Sequence, residues 1–133
     1  MHEYGRGVKA DDGAAIEWFR KAAEQELPEA QYRLGVLHEN GWGVERDAVV
    51  AAGWYRQAAE RGHPLAQHDL AILHLEGKGV PKNGVEAYKW LRIASAQRAD
   101  LMTKHLHMVS KRLNAEEITE AERLAKEWMQ ARR

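Results

Sequence analysis

Apolar positions along the chain fall at helical spacing. Ala30, Leu34 and Leu37 lie at i, i+4 and i+7, and Ala66, Leu70 and Leu73 repeat that spacing. Each trio therefore lines one face of a helix. A second kind of segment carries Ala51, Trp54 and Ala58, then Ala87, Trp90 and Ala94, at i, i+3 and i+7. Punctuation agrees with this reading. Pro28 and Pro64 suit a first helical turn, where a missing N–H costs nothing. Gly41 and Gly77 suit a left-handed helix end. Asp47 and Asn83 are N-caps for the second kind of helix, with side chains that accept free backbone N–H groups, and Asp11 holds the equivalent place earlier in the chain.

These segments recur with a fixed step. Gly5, Gly41 and Gly77 are 36 residues apart, as are Gly7, Gly43 and Gly79, Val8, Val44 and Val80, Trp18, Trp54 and Trp90, and Ala22, Ala58 and Ala94. Two complete copies, 28–63 and 64–99, agree at 14 of 36 positions, where chance gives roughly two or three at ordinary residue frequencies. Such a period marks a repeat architecture, in which each unit buries its apolar face against the next. The expected organisation is a single domain. A partial copy spans 1–27 (the end of a first helix plus a second helix), complete copies span 28–63 and 64–99, and a divergent C-terminal helix pair at 100–133 acts as a cap. The recurring tryptophans are expected in the core, filling space between helix pairs. Gly62 ends one repeat, and Arg98 replaces it in the next, so that boundary should differ.

The motif Ala30-Gln31-Tyr32-Arg33-Leu34-Gly35-Val36-Leu37, followed by Gly41-Trp42-Gly43-Val44 and Trp54-Tyr55-Arg56-Gln57-Ala58-Ala59, resembles the Sel1-like repeat, a branch of the tetratricopeptide-like (TPR-like) solenoids. The resemblance covers residues 1–99. Ala71 stands where the first copy has Gly35, and His38 and His74 stand where the family usually has tyrosine. The resemblance implies an all-α fold, a right-handed α-solenoid of antiparallel helix pairs with about seven helices. It also implies an adaptor or scaffold function, with many bacterial members working in envelope, signalling or secretion-linked systems.

The two ends differ. Leu101, Met102, His105, Leu106, Val109 and Leu113 share one side of a helix in the first-helix slot, Leu106 standing 36 after Leu70. Asn114 with Glu117 then reads as a capping box. The last helix turns Ile118, Ala121, Leu124, Ala125, Trp128 and Met129 inward, with Glu116, Glu120, Arg123, Lys126, Glu127 and Arg132 outward, as a solenoid cap requires. At the other end Met1 aligns with Leu37. Either the chain is a fragment of a longer repeat protein, or a second subunit covers this edge by self-association.

Composition narrows the chemistry. Apolar residues make up 44% and charged residues 30%, with a formal net charge of zero. A neutral chain lacks the basic field that non-specific nucleic-acid binding uses. The absence of cysteine removes thiolate chemistry and cysteine-based zinc sites. No run of 18 apolar residues is present, so no membrane-spanning helix is expected, and Met1-His2-Glu3-Tyr4-Gly5 does not read as a signal peptide. A soluble protein of the bacterial cytoplasm or periplasm fits. The histidines form no H-E-x-x-H motif, and the Gly-x-Gly loops follow helices where a dinucleotide fingerprint follows a strand. Ser95 and Ser110, the two serines, lie in no nucleophile elbow. No enzyme activity, metal or cofactor is expected.

A protein or peptide partner is expected on the concave face, lined by the first helix of each pair. Residues there vary between copies: Tyr32, His68 and Lys104 form one row, Val36, Ile72 and Met108 a second, Glu39, Leu75 and Lys111 a third. The surface runs from acidic through apolar to basic. The second row either grips a peptide or serves as inter-helix core. Trp42 replaces Arg6 and Lys78 of the other copies, so it is either a contact residue or rests on a neighbouring loop. Two functions fit: a general adaptor or scaffold, or a dedicated inhibitor of the immunity type that blocks one secreted effector or enzyme.

Overall fold

The computed structural model describes residues 10–132, with the side chains of residues 10–12 and 99–103 left aside. Among the described residues there are seven α-helices and no strand: α1 (Ala10–Glu24), α2 (Pro28–Asn40), α3 (Ala48–Glu60), α4 (Pro64–Glu76), α5 (Gly84–Gln97), α6 (Ala99–Ser110) and α7 (Ala115–Ala131). The pairs α2/α3 and α4/α5 are the complete copies, and each helix packs on the next from α1 to α6. The chain is an all-α solenoid.

Local chemistry fixes the helix ends. Pro28 and Pro64 open the first helices, while Gly41 (φ 71°) and Gly77 (φ 66°) close them in the left-handed region. The Asp47 side chain accepts from the N–H groups of Val49 and Val50, and Asn83 accepts from Glu86. Asn114 and Glu117 form the reciprocal capping box of α7. Asp11 lies within α1, not ahead of it. The repeated histidines brace the loops: Nδ1–H of His38 donates to the Glu45 carbonyl (3.0 Å), and that of His74 to the Pro81 carbonyl (3.1 Å). An imidazole, half-buried at His38 and buried at His74, thus ties each loop back to the helix before it. The two inter-repeat turns at the α1–α2 and α3–α4 junctions are equivalent, yet the first uses Glu26 (φ 65°) where the second uses Gly62 (φ 92°). At the next boundary Arg98 is a one-residue non-helical break between α5 and α6 (φ −138°, ψ 72°).

The main core joins α3, α4 and α5 with Val109, Ala121 and Ala125. A smaller cluster at the N-terminal side holds Ala22, Ala23, Ala30 and Leu34, flanked by Phe19, Leu37 and Trp54. The tryptophan expectation needs correction. Trp90 is buried, Trp54 half-buried, and Trp18 is 62% exposed. Burial at this position follows what lies across it. Trp90 meets Trp128 of α7 edge to face, centroids 5.7 Å apart, whereas Trp18 contacts Phe19, its own neighbour on α1. The next position, Tyr55 and Leu91, is closed in both complete copies, each residue fully buried.

The last two helices do not repeat the earlier pairing. Both α6 and α7 pack on α5, with few contacts to each other. Glu122 accepts from the Tyr88 hydroxyl (3.0 Å) and from Arg92 Nε (3.1 Å), tying α7 to α5. The end of α7 reaches two copies back: Trp128 Nε1–H and Arg132 Nη2–H both donate to Glu60 Oε1 at 2.9 Å, and Arg132 Nε–H donates to the Glu60 carbonyl at 3.2 Å.

One exposed glycine offers a simple stability test. Gly53 sits inside α3, and a Cβ there meets nothing within 4 Å. Gly53→Ala should raise stability by about 0.5–1 kcal/mol, because alanine loses less backbone entropy in a helix. Urea titration followed by helical circular dichroism reads this directly; a loss of stability would mean the space is not free.

Candidate partner-binding surface

The first helices present two groups of aromatic and imidazole rings, one around Tyr32 and one around His68. Tyr32 on α2 is half-buried, 5.7 Å from the Tyr55 ring and stacked on His63 at 4.7 Å and 20°. His63 caps α4: its Nδ1 accepts from the Ala66 N–H at 3.2 Å, so Nε2 carries the proton it donates to Glu29 Oε1 at 2.8 Å. That hydrogen bond holds the Glu29 carboxyl below its ordinary range, with Arg33 adding to the effect. Burial, then the nearby Asp69 carboxylate, pushes the Tyr32 hydroxyl up to about 12, so it stays a neutral donor at any physiological pH. Farther along, His68 donates from Nδ1 to Asp69 Oδ1 (2.9 Å), leaving Nε2 to accept from His105 Nδ1 (3.3 Å), the rings edge to face at 4.8 Å. Neighbouring copies are thus stitched by ring contacts on the same side of the stack.

The three expected rows have different standing in the structure. In the first, Tyr32 and His68 are half-buried and Lys104 is exposed; His68 meets His105 in place of Lys104. In the second, Val36 packs against the core, Ile72 is half-buried, and Met108 is 41% exposed. In the third, Leu75 packs against the core, Lys111 is exposed, and half-buried Glu39 accepts the Tyr55 hydroxyl at 2.5 Å. Burial and the Glu39 carboxylate raise the Tyr55 hydroxyl far above its ordinary value; this pair is a structural tie between α2 and α3. Trp42, on the loop after Gly41, is 36% exposed. The expectation about the edge formed by the opening residues falls on 1–9, outside the described residues.

A second concavity was not anticipated. At the edge of the inter-repeat turns lies a groove of about 880 Å³, lined by Glu26, Gln31, Arg56, Gln57, Glu60, Arg61, Gly62, Gln97, Trp128 and Arg132. It gathers the C-terminal ends of α3, α5 and α7 over the start of α2. The repeat left a signal here: Gln31 and Gln67 recur one period apart, as do Arg56 and Arg92. Both glutamines are buried, and both donate from Nε2 to the preceding helix, to the carbonyls of Ala23 (3.4 Å) and Ala59 (3.1 Å).

Sel1 repeat sequences match this chain at residues 1–27, 28–63 and 64–98. The crystal structure of c5321, a protective antigen present in uropathogenic Escherichia coli strains and displaying an SLR fold, is similar with a TM-score of 0.86 and 35% identity over 93% of this chain. A Sel1 repeat protein from Oxalobacter formigenes is similar with a TM-score of 0.64 and 41% identity over 69% of this chain. The matched regions span 27% and 38% of those two chains, respectively. The comparison with curated proteins returns no match.

Proposed function

The chain belongs to the Sel1 repeat family, and from that premise we propose that it is an adaptor or scaffold module holding a peptide or protein partner across the first helices of its pairs. Sel1 repeats generally mediate protein–protein interaction, and the fold is typically a non-catalytic scaffold. Among the described residues no helix is long and apolar enough to cross a membrane.

The observation that supports this face is the two ring groups, Tyr32 with His63 and His68 with His105, with Met108 and Lys104 exposed beside them. Flat rings with polar tips give contact area at low conformational cost and still orient a ligand by hydrogen bonds. The charge of the face differs along its length, with Glu29 and Glu39 on the first complete copy, Asp69 on the second, and Lys104 and Lys111 toward the end. A partner with the opposite gradient is therefore held in one direction.

The test compares affinity capture from the native cell by the wild-type chain, a Tyr32→Ala/His68→Ala variant and a Lys104→Ala/Met108→Ala variant. Both variants should lose at least tenfold in partner recovery, an effect of about 1.4 kcal/mol. The second variant changes two exposed side chains, so its fold should be intact by circular dichroism. Unchanged recovery with both would remove this face from the interaction. Several partners of moderate affinity fit the adaptor reading, whereas a single very tight one fits the inhibitor.

A further inference from the structure

We propose that the groove at the inter-repeat-turn edge is a separate binding site, and that it takes an extended acidic peptide segment. The repeat itself supplies the comparison. In the second copy the buried Gln67 is complete: Nε2 donates to Ala59, and Oε1 accepts from Gln97 Nε2 at 3.1 Å. In the first copy Gln31 is 1% exposed, and its Nε2 donates to Ala23 and to Gln57 Oε1 (3.1 Å). Its Oε1, however, is a buried acceptor with no partner. Turning the amide over does not help, since the Ala23 carbonyl only accepts and holds Nε2 in place. The position one period before Gln97 is Arg61, and Arg61 is drawn away into an ion pair with Glu26. A buried acceptor left unmade costs on the order of 1–3 kcal/mol, and a ligand N–H that reaches it from the groove, as the neighbouring lining side chains shift, recovers it.

The rest of the lining says what that ligand is. The bond from Gln31 occupies Oε1 of Gln57, and the bond to Gln67 occupies Nε2 of Gln97. Gln57 therefore still offers donors and Gln97 still offers an acceptor. Acceptor, donor and acceptor spread along one groove complement the alternating N–H and C=O groups of an extended backbone. Charge gives the sign. Glu26 is paired with Arg61 and Glu60 with Arg132, while Arg56 has no ion-pair partner among the described residues. An incoming carboxylate beside Arg56 makes a charge-assisted bond of the stronger kind.

The probe is a blocked peptide of alternating glutamate and glycine, titrated into the isotope-labelled full chain and followed by the side-chain amide signals of Gln31, Gln57 and Gln97 and the Trp128 indole signal. We expect those signals to shift saturably. Backbone N-methylation of the peptide and the exposed-site change Arg56→Gln should each weaken binding by about tenfold. The Tyr32→Ala/His68→Ala variant should bind the probe unchanged, which separates this site from the face proposed above. Absence of shifts at the three glutamines up to millimolar peptide, equal binding of a lysine–glycine peptide, or indifference to both N-methylation and Arg56→Gln would each overturn the proposal.

Discussion

Gly79→Ala should cost about 3 kcal/mol or more. Two penalties act together. Gly79 has φ 76°, in the left-handed region that costs an L-residue roughly 1–2 kcal/mol. Its added Cβ would also stand 2.3 Å from the Ala48 carbonyl oxygen and 2.5 Å from the carbonyl carbon. Those are backbone atoms at the start of α3, one copy earlier, and backbone cannot swing aside as a side chain does. The loop of the second copy must therefore lift off the preceding helix. Gly62→Ala is the matched control: φ is 92°, but nothing lies within 4 Å of the new Cβ, so it carries the conformational penalty alone, about 1–2 kcal/mol. The difference between the two, read by urea unfolding, measures the inter-repeat contact. Equal losses would show that the approach to Ala48 relaxes freely.

Gly35→Ala should destabilise by about 2 kcal/mol in spite of alanine's better helix propensity. The new Cβ would lie 2.5 Å from two ring carbons of Tyr55, which is fully buried and held by its hydroxyl to Glu39. Overpacking of this kind typically costs 1–3 kcal/mol. The second copy shows the alternative solution, with Ala71 and Leu91, both fully buried, at the equivalent positions. Gly with Tyr and Ala with Leu are thus two ways of filling one helix crossing. In a Tyr55→Leu background the Gly35→Ala change should become nearly neutral, giving a coupling energy of about 2 kcal/mol in a double-mutant cycle. A cycle that closes additively would mean the two positions are independent and the glycine has some other cause.

Much of this architecture was legible because periodicity reports burial directly. Pro28, Gly41 and Asp47 mark helix limits through chemistry local to a few residues, and the structure uses each of them. The tryptophans show where such reading stops. Recurrence at 18, 54 and 90 implied one environment, but burial there depends on the element lying across, and α7 covers Trp90 while Trp18 stands exposed. The placement of α7 on α5 also escaped the pattern, since an amphipathic helix states that it has a covered face without stating what covers it. The candidate surface on the first helices was named in part: Tyr32 and His68 were recognised, but their partners His63 and His105 lie off the period, at 31 and 37 residues. The groove was missed for a different reason. Its lining comes from three helix ends that converge only in the folded chain, and of the lining residues Gln31 and Arg56 recur one period on, as Gln67 and Arg92.

The bonds from Trp128 and Arg132 to Glu60 change how the chain should come apart. A string of units that touch only their neighbours frays from either end independently, and its unfolding can be summed unit by unit. Here the last helix is fastened to a residue two copies back, through groups that are 39–41% exposed where they pair, so each bond is individually weak. Their effect is on topology. The final turn of α7 closes a loop around the middle of the solenoid, so the C-terminal half should melt and exchange its amides as a single block, leaving α1 as the part free to open first.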